Sequence, residues 1–214
     1  TINKALRNKR NTFIPSLAPI NQQNMKQKIT KLLVASLVLF SLLSFINSDE
    51  WYLLRSEQYG YKIKFPKAPT ENPQVINSEI GKLKMNIFMY DASQKGKDDN
   101  LVYMVNYTEY PDTLISSEKT EILDDFFRNS IDGAVKNVHG ELLSEKIIKI
   151  GEYPGREIKI DFKDGMAVIR MRSYLVNNKM YVLQTITETK KDFNKSITLF
   201  MDSFELLNTG ANKK

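Results

Sequence analysis

The chain has no cysteine in 214 residues. No disulfide can form, so an exported form must be held by its core alone, and a lipid-modified N-terminal cysteine is excluded. Histidine occurs once, at His139, which confines imidazole chemistry to a single position. There is no Gly-x-Ser-x-Gly, and the glycines of Gly151-Glu152-Tyr153-Pro154-Gly155 lack a P-loop lysine pattern. A run long enough to span a bilayer is also missing. The longest apolar stretch, residues 32–46, has 15 residues and is broken by Ser36, Ser41 and Ser44. Crossing the hydrocarbon takes about 20 apolar residues, whereas the core of an export signal takes about 7–15.

That stretch has the other parts of an export signal. Met25 can start it, Lys26, Lys28 and Lys31 form the positive segment ahead of the run, and Ile46 and Ser48 flank a processing site before Asp49. Residues 25–48 are therefore expected to be a signal peptide. The alternative is an uncleaved anchor through residues 32–46. Residues 1–24 read as a non-native or disordered leader and are set aside from the fold.

The net charge of +6 comes from this front part. Seven of the 31 basic residues and none of the 25 acidic ones lie in residues 1–48. Residues 49–214 hold 24 basic residues against 25 acidic ones. Such a domain has no cationic excess for a nucleic acid, and a membrane role is expected only if the signal stays uncleaved. A chain of this size buries roughly 70% of its unfolded surface, enough for one domain without staples.

Tyr61, Ile63 and Phe65 alternate with Lys62 and Lys64, the period of a half-buried strand that Pro66 and Pro69 end. Residues 75–80 and 83–90 predict a hairpin about Gly81, and residues 101–110 a further strand after the polar loop 93–100. Ser116 or Ser117 is the expected cap of a helix with Glu118 and Glu121 in its first turn. Ile122, Phe126, Ser130 and Ala134, joined by Leu123, Phe127, Ile131 and Val135, give it a wide apolar face. Four strands follow at 142–150, 156–162, 166–176 and 180–187, with Lys163-Asp164-Gly165 and Asn177-Asn178 as turns. Phe193, Ile197, Phe200, Met201 and Phe204 predict a last helix. The expected fold is α+β, a single domain over 49–214 with an antiparallel sheet flanked by two main helices.

Trp51-Tyr52, Ser56, the run from Gly60-Tyr61-Lys62-Ile63-Lys64-Phe65-Pro66 and Pro69 resemble the start of PsbP-like domains. Tyr153-Pro154-Gly155-Arg156-Glu157, the long hairpin over 170–184 and Phe200-Met201-Asp202-Ser203-Phe204 fit the same pattern. The resemblance covers most of 50–207 and implies an antiparallel sheet sandwiched by helices. It carries over no metal site and no photosynthetic role.

Catalytic signals are sparse. His139, between a helix end and Gly140, reads as a capping or surface residue. Asp98-Asp99-Asn100 lacks the spacing of a calcium loop and reads as a solvated loop. Asp124 and Asp125 are neighbours on a helix, pointing about 100° apart, a poor acid/base pair. Asn106-Tyr107-Thr108 and Asn194-Lys195-Ser196 match the glycosylation sequon, which matters only in a eukaryotic secretory host. Arg156 shares parity with Ile158 and Ile160, so a strand-end ion pair is expected for it.

The unusual feature is polar residues at covered strand positions. Arg170, Arg172 and Tyr174 alternate in one strand, Gln184 lies between Val182 and Ile186, and Asn86 and Asn106 stand among Phe88, Tyr90, Met104 and Thr108. If these faces align, Arg170, Arg172, Gln184, Asn86, Asn106 and Tyr174 form one recognition surface. An ordinary solvent face of a one-side-buried sheet has the same pattern. The expectation is an exported, non-enzymatic binding domain of the cell envelope, taking a protein or a small ligand and no cofactor or metal. The alternatives are a carboxylate-based hydrolase and a membrane-anchored scaffold.

Overall fold

Apolar alternation in the sequence becomes strands in the computed structural model, which describes residues 50–78, 81–94 and 98–207. The expected signal peptide and leader lie outside the described residues. The chain begins with β1 (Tyr52–Ser56), β2 (Tyr61–Phe65), β3 (Thr70–Ser78), β4 (Gly81–Asp91) and β5 (Asn100–Glu109). Helix α1 (Leu123–Val138) leads to β6 (Glu141–Ile150), β7 (Tyr153–Phe162), β8 (Ala167–Val176) and β9 (Lys179–Glu188). Helix α2 (Lys195–Asp202) and the short β10 (Glu205–Leu206) close the domain. One antiparallel sheet runs β3-β4-β5-β9-β8-β7-β6, and a small one runs β1-β2-β10. The fold is α+β.

Register assigns the two faces of the large sheet, since successive side chains point to opposite sides. Val105 stands between Phe88 and Leu183, and Tyr107 opposite Tyr181, which faces Tyr174. This face is covered by the small sheet and α2 through Tyr61, Ile63, Phe65, Ile197, Phe200 and Met201. On the other face Ile158, Ile160 and Ile169 pack against Ile131 of α1, and Phe127 covers Leu175 and Met180.

Helix α1 starts later than its serines suggest. Ser116 Oγ accepts from the Glu118 amide at 3.3 Å, and Ser117 Oγ from the Asn177 amide at 3.1 Å, so both fasten the loop instead of capping the helix. The chain then passes through a 3-10 turn, Thr120–Ile122, and Asp124 and Asp125 occupy the first turn of α1. Arg156, only 7% exposed, makes the expected ion pair, with Asp124 at 2.6 Å, but from within β7 (Tyr153–Phe162) and not from its end. It also approaches Glu145 at 3.4 Å and lies 4.7 Å from the Phe127 ring centre, tying the start of α1 to the sheet. At the other end His139 takes the left-handed conformation, φ 52°, as the helix stop. Gly140 follows where the backbones touch, because a Cβ there would lie 2.3 Å from the Asp161 carbonyl oxygen.

Other boundaries also move. Strand β3 begins at Thr70 and contains Pro73, which the sheet tolerates because β3 is an edge strand. Strand β7 begins at Tyr153, so Pro154 lies within it and Gly151, φ 58°, makes the turn. Helix α2 excludes Phe193. Its cap is Asn194, whose Oδ1 accepts from the Ile197 amide at 3.1 Å. Asn100 is buried beside it, with Asn194 Nδ2 donating to Asn100 Oδ1 at 2.9 Å. The loop that the sequence marks as solvated therefore ends in a buried asparagine, Asn100, paired with the half-buried Asn194.

Candidate functional site

The recognition surface expected from the sequence divides between the two sides of the sheet. Asn86 pairs with Tyr107, and Arg170, Arg172 and Tyr174 share that side. Asn106 and Gln184 point the other way, beneath α1. Strand parity within each strand is correct, but the alignment of one strand with the next depends on register, which the expectation left open.

On the first side the polar groups have partners. Tyr59 Oη donates to Asn86 Oδ1 at 2.9 Å. Arg170 clamps Asp192 with Nε at 2.7 Å and Nη2 at 3.2 Å, while Lys159 meets the same carboxylate at 2.5 Å. Arg172 joins Glu157 at 2.5 Å and Asp202 at 2.6 Å. Tyr174 stacks on Phe204 with ring centres 5.9 Å apart, and burial pushes its phenol up. Burial also raises the Asp192 carboxyl, but the hydrogen bonds from Arg170 and Lys159 outweigh it and hold the group below the usual aspartate range. The depressed carboxyl stabilises the fold above the ordinary aspartate value of about 3.9 and loses that contribution as pH falls through its own lower value. Urea midpoints between neutral pH and strong acid should show Asp192→Asn less stable at neutrality, with the gap closing in acid. A constant gap would remove the ionised clamp from the account.

On the second side the sheet and α1 enclose a groove of about 500 Å³. Its floor is Met104, Asn106 and Thr108 on β5, Met180, Val182 and Gln184 on β9, and Ile169 and Met171 on β8. Its roof is the side of α1 that carries Ser130, Gly133, Ala134 and Asn137. These residues recur at i, i+3, i+4 and i+7 and are small or short, so the helix leaves space where a leucine would fill it. Gly133 and Asn137 stand exposed at the rim of the groove, and a Cβ built on Gly133 meets nothing within 4 Å. Ser130 donates to the Phe126 carbonyl at 2.8 Å, which settles its hydroxyl. Tyr110 closes one end, and burial raises its phenol, so it stays protonated. Among the described residues, none of those lining the groove is charged.

Asn106 is the anomaly of this site. It is 9% exposed, and its Oδ1 is buried with no hydrogen-bond partner among the described residues. A buried amide normally finds a partner, and leaving one unmade costs roughly 1–3 kcal/mol. Gln184 lies diagonally across, two residues beyond Val182, the register partner of Asn106. The sequence singled out both residues because polar side chains interrupt apolar strands there. It gave no sign of the small-residue roof, since Ser130 and Ala134 also fit an apolar packing face.

Two larger hollows are of a different kind. One of about 790 Å³ lies between the small sheet and α2, with Lys62, Lys64, Lys195 and Glu205 around Phe193, which is 80% exposed at φ 73°. The other, about 750 Å³, follows the β7–β8 turn. Among the described residues, no buried polar group without a partner lines either of them.

No family model and no curated protein matches the chain. Among solved structures it is similar to the cyanobacterial PsbP of Synechocystis sp. PCC 6803, with a TM-score of 0.44 and 11% identity over 76% of this chain and 95% of that one. It is also similar to a Pseudomonas aeruginosa protein of unknown function, with a TM-score of 0.32 and 12% identity over 66% of this chain and 85% of that one. Neither likeness assigns an activity. Among the described residues no helix is long and apolar enough to cross a membrane.

Proposed function

We propose that this chain is an exported domain of PsbP-like α/β/α layering that acts in the cell envelope by binding a small molecule, without catalysis. The observation that supports it is the groove under α1 with Asn106 unpartnered in its floor. A concave, mainly apolar site with a few polar groups is the usual form of a ligand pocket. The Arg170 and Arg172 side expected to recruit a partner has its charges engaged internally, so the binding role passes to Asn106 and Gln184. Export rests on residues 25–48, and the mass of the mature N-terminus tests it. A form beginning at Asp49 supports it, and a form retaining Met25 in the membrane fraction favours the anchored alternative.

Gly133→Leu tests the groove. Replacing a helical glycine gains roughly 1 kcal/mol of helix propensity, so the variant should melt no lower than the parent while its side chain occupies the space. Both proteins are equilibrated with an organic extract of the native envelope and the retained small molecules compared by mass spectrometry. Molecules held by the parent and lost from the variant support the proposal. Identical retention by both would sink it.

A further inference from the structure

We infer that the groove takes an uncharged ligand with an apolar body and one N–H or O–H group, which it sets against the side-chain amide of Asn106. The inference rests on the groove being the binding site. Three observations specify the class. First, no charged residue among the described ones lines the groove. An ion drawn from water into such a lining loses its hydration and meets no counter-charge, so charged molecules are rejected. Second, Met104, Met171 and Met180 line the floor with Ile169 and Val182. Thioether side chains rotate readily and adapt to irregular apolar shapes, so the body of the ligand is apolar. Third, Asn106 Oδ1 lacks a donor. The terminal torsion of an asparagine is broad, so the Asn106 amide can rotate within its well to present its oxygen to a donor in the groove that it lines. A ligand N–H or O–H then completes the bond that the fold leaves unmade. Gln184, diagonal to Asn106, has both a donor and an acceptor for a second polar atom.

The stripe of small residues on α1 explains the space and Asn106 explains the specificity. Neither alone would define a site. The volume, about 500 Å³, suits a molecule of two or three rings or an equivalent chain, within the roughly 300–1,000 Å³ of small-molecule sites.

Two dyes with one frame make the test. N-phenyl-1-naphthylamine is neutral and has a single N–H, and 8-anilinonaphthalene-1-sulfonate adds only a sulfonate. Each is titrated by fluorescence into the full domain, Gly133→Leu and Asn106→Leu. The neutral dye should bind one per chain, on the order of tenfold or more tighter than the sulfonate. Gly133→Leu should abolish that signal, and Asn106→Leu should weaken it by about tenfold, the scale of one hydrogen bond. Asn106→Thr, which keeps a polar group but is shorter, is the second variant if leucine disturbs the packing. Equal binding of both dyes, lost in Gly133→Leu, would overturn the ligand class while keeping the groove. Binding of either dye unaffected by Gly133→Leu would overturn the groove reading itself. Full affinity for the neutral dye in both Asn106 variants would remove Asn106 from the proposal.

Discussion

Phe200→Ala is expected to be among the most damaging single substitutions in the domain. Phe200 is fully buried, with its ring centre 5.1 Å from Phe65 and 5.3 Å from Tyr103, in edge-to-face contact with both. Those three rings belong to α2, the small sheet and the large sheet, so one side chain joins three elements of the core. Truncating a buried phenylalanine costs roughly 3–5 kcal/mol through lost transfer energy and the cavity left behind. For a domain of this size that is on the order of 10 °C in melting temperature. Urea unfolding of the variant measures it directly. A loss below about 1 kcal/mol would mean that the layers collapse into the space, and that the aromatic contacts do not define the packing.

The second large effect is expected from the smallest change, Gly155→Ala. Gly155 lies in β7 between β6 and β8, pairing with Ile148 and Tyr174. A Cβ there would sit 2.4 Å from the Ser173 carbonyl oxygen and 2.7 Å from Tyr174 Cδ1. The oxygen is backbone of an interior strand and cannot rotate away, so the strands must part or twist. Overpacking of this kind costs roughly 1–3 kcal/mol and more where the backbone resists. Gly151→Ala is the comparison. Nothing lies within 4 Å of its Cβ, and only its positive φ of 58° opposes the change, at about 1 kcal/mol. The denaturation midpoint should therefore fall further for Gly155→Ala than for Gly151→Ala. The reverse order would place the tight spot in the turn, not between the strands.

Much of the fold is legible from local pattern. Tyr61, Ile63 and Phe65 give their strand away because β2 is buried on one side only. Ile131 and Phe127 mark the covered side of α1 for the same reason. The later strands are found by their turns, with Asn177 at φ 53° where the sequence has Asn177-Asn178. What sequence cannot give is how one strand lies against the next. The residues of Arg170 and Arg172 read as a surface because nothing local shows Asp192, Glu157 and Asp202 arriving from other elements. Asn106 and Gln184 were legible as anomalies, but their joint placement under α1 follows from a register set by the whole sheet. Phe193 continued the helical period of Ile197 and Phe200, yet Asn194 caps the helix after it and turns its ring outward.

Helix α1 is fastened at both ends. Arg156 grips Asp124 and Phe127 at its start, and Gly140 presses against the Asp161 carbonyl at its finish. A beam held at two points does not swing as a lid does. Fastened so, its small-residue span is held above the sheet. On the proposed reading a ligand needs no lid to open before it enters the groove, which Met85 of β4 also borders. On that reading capture would rise in proportion to the ligand present, and release would be governed by contacts inside the groove. If the groove binds as proposed, it would load and unload passively, following the supply around it.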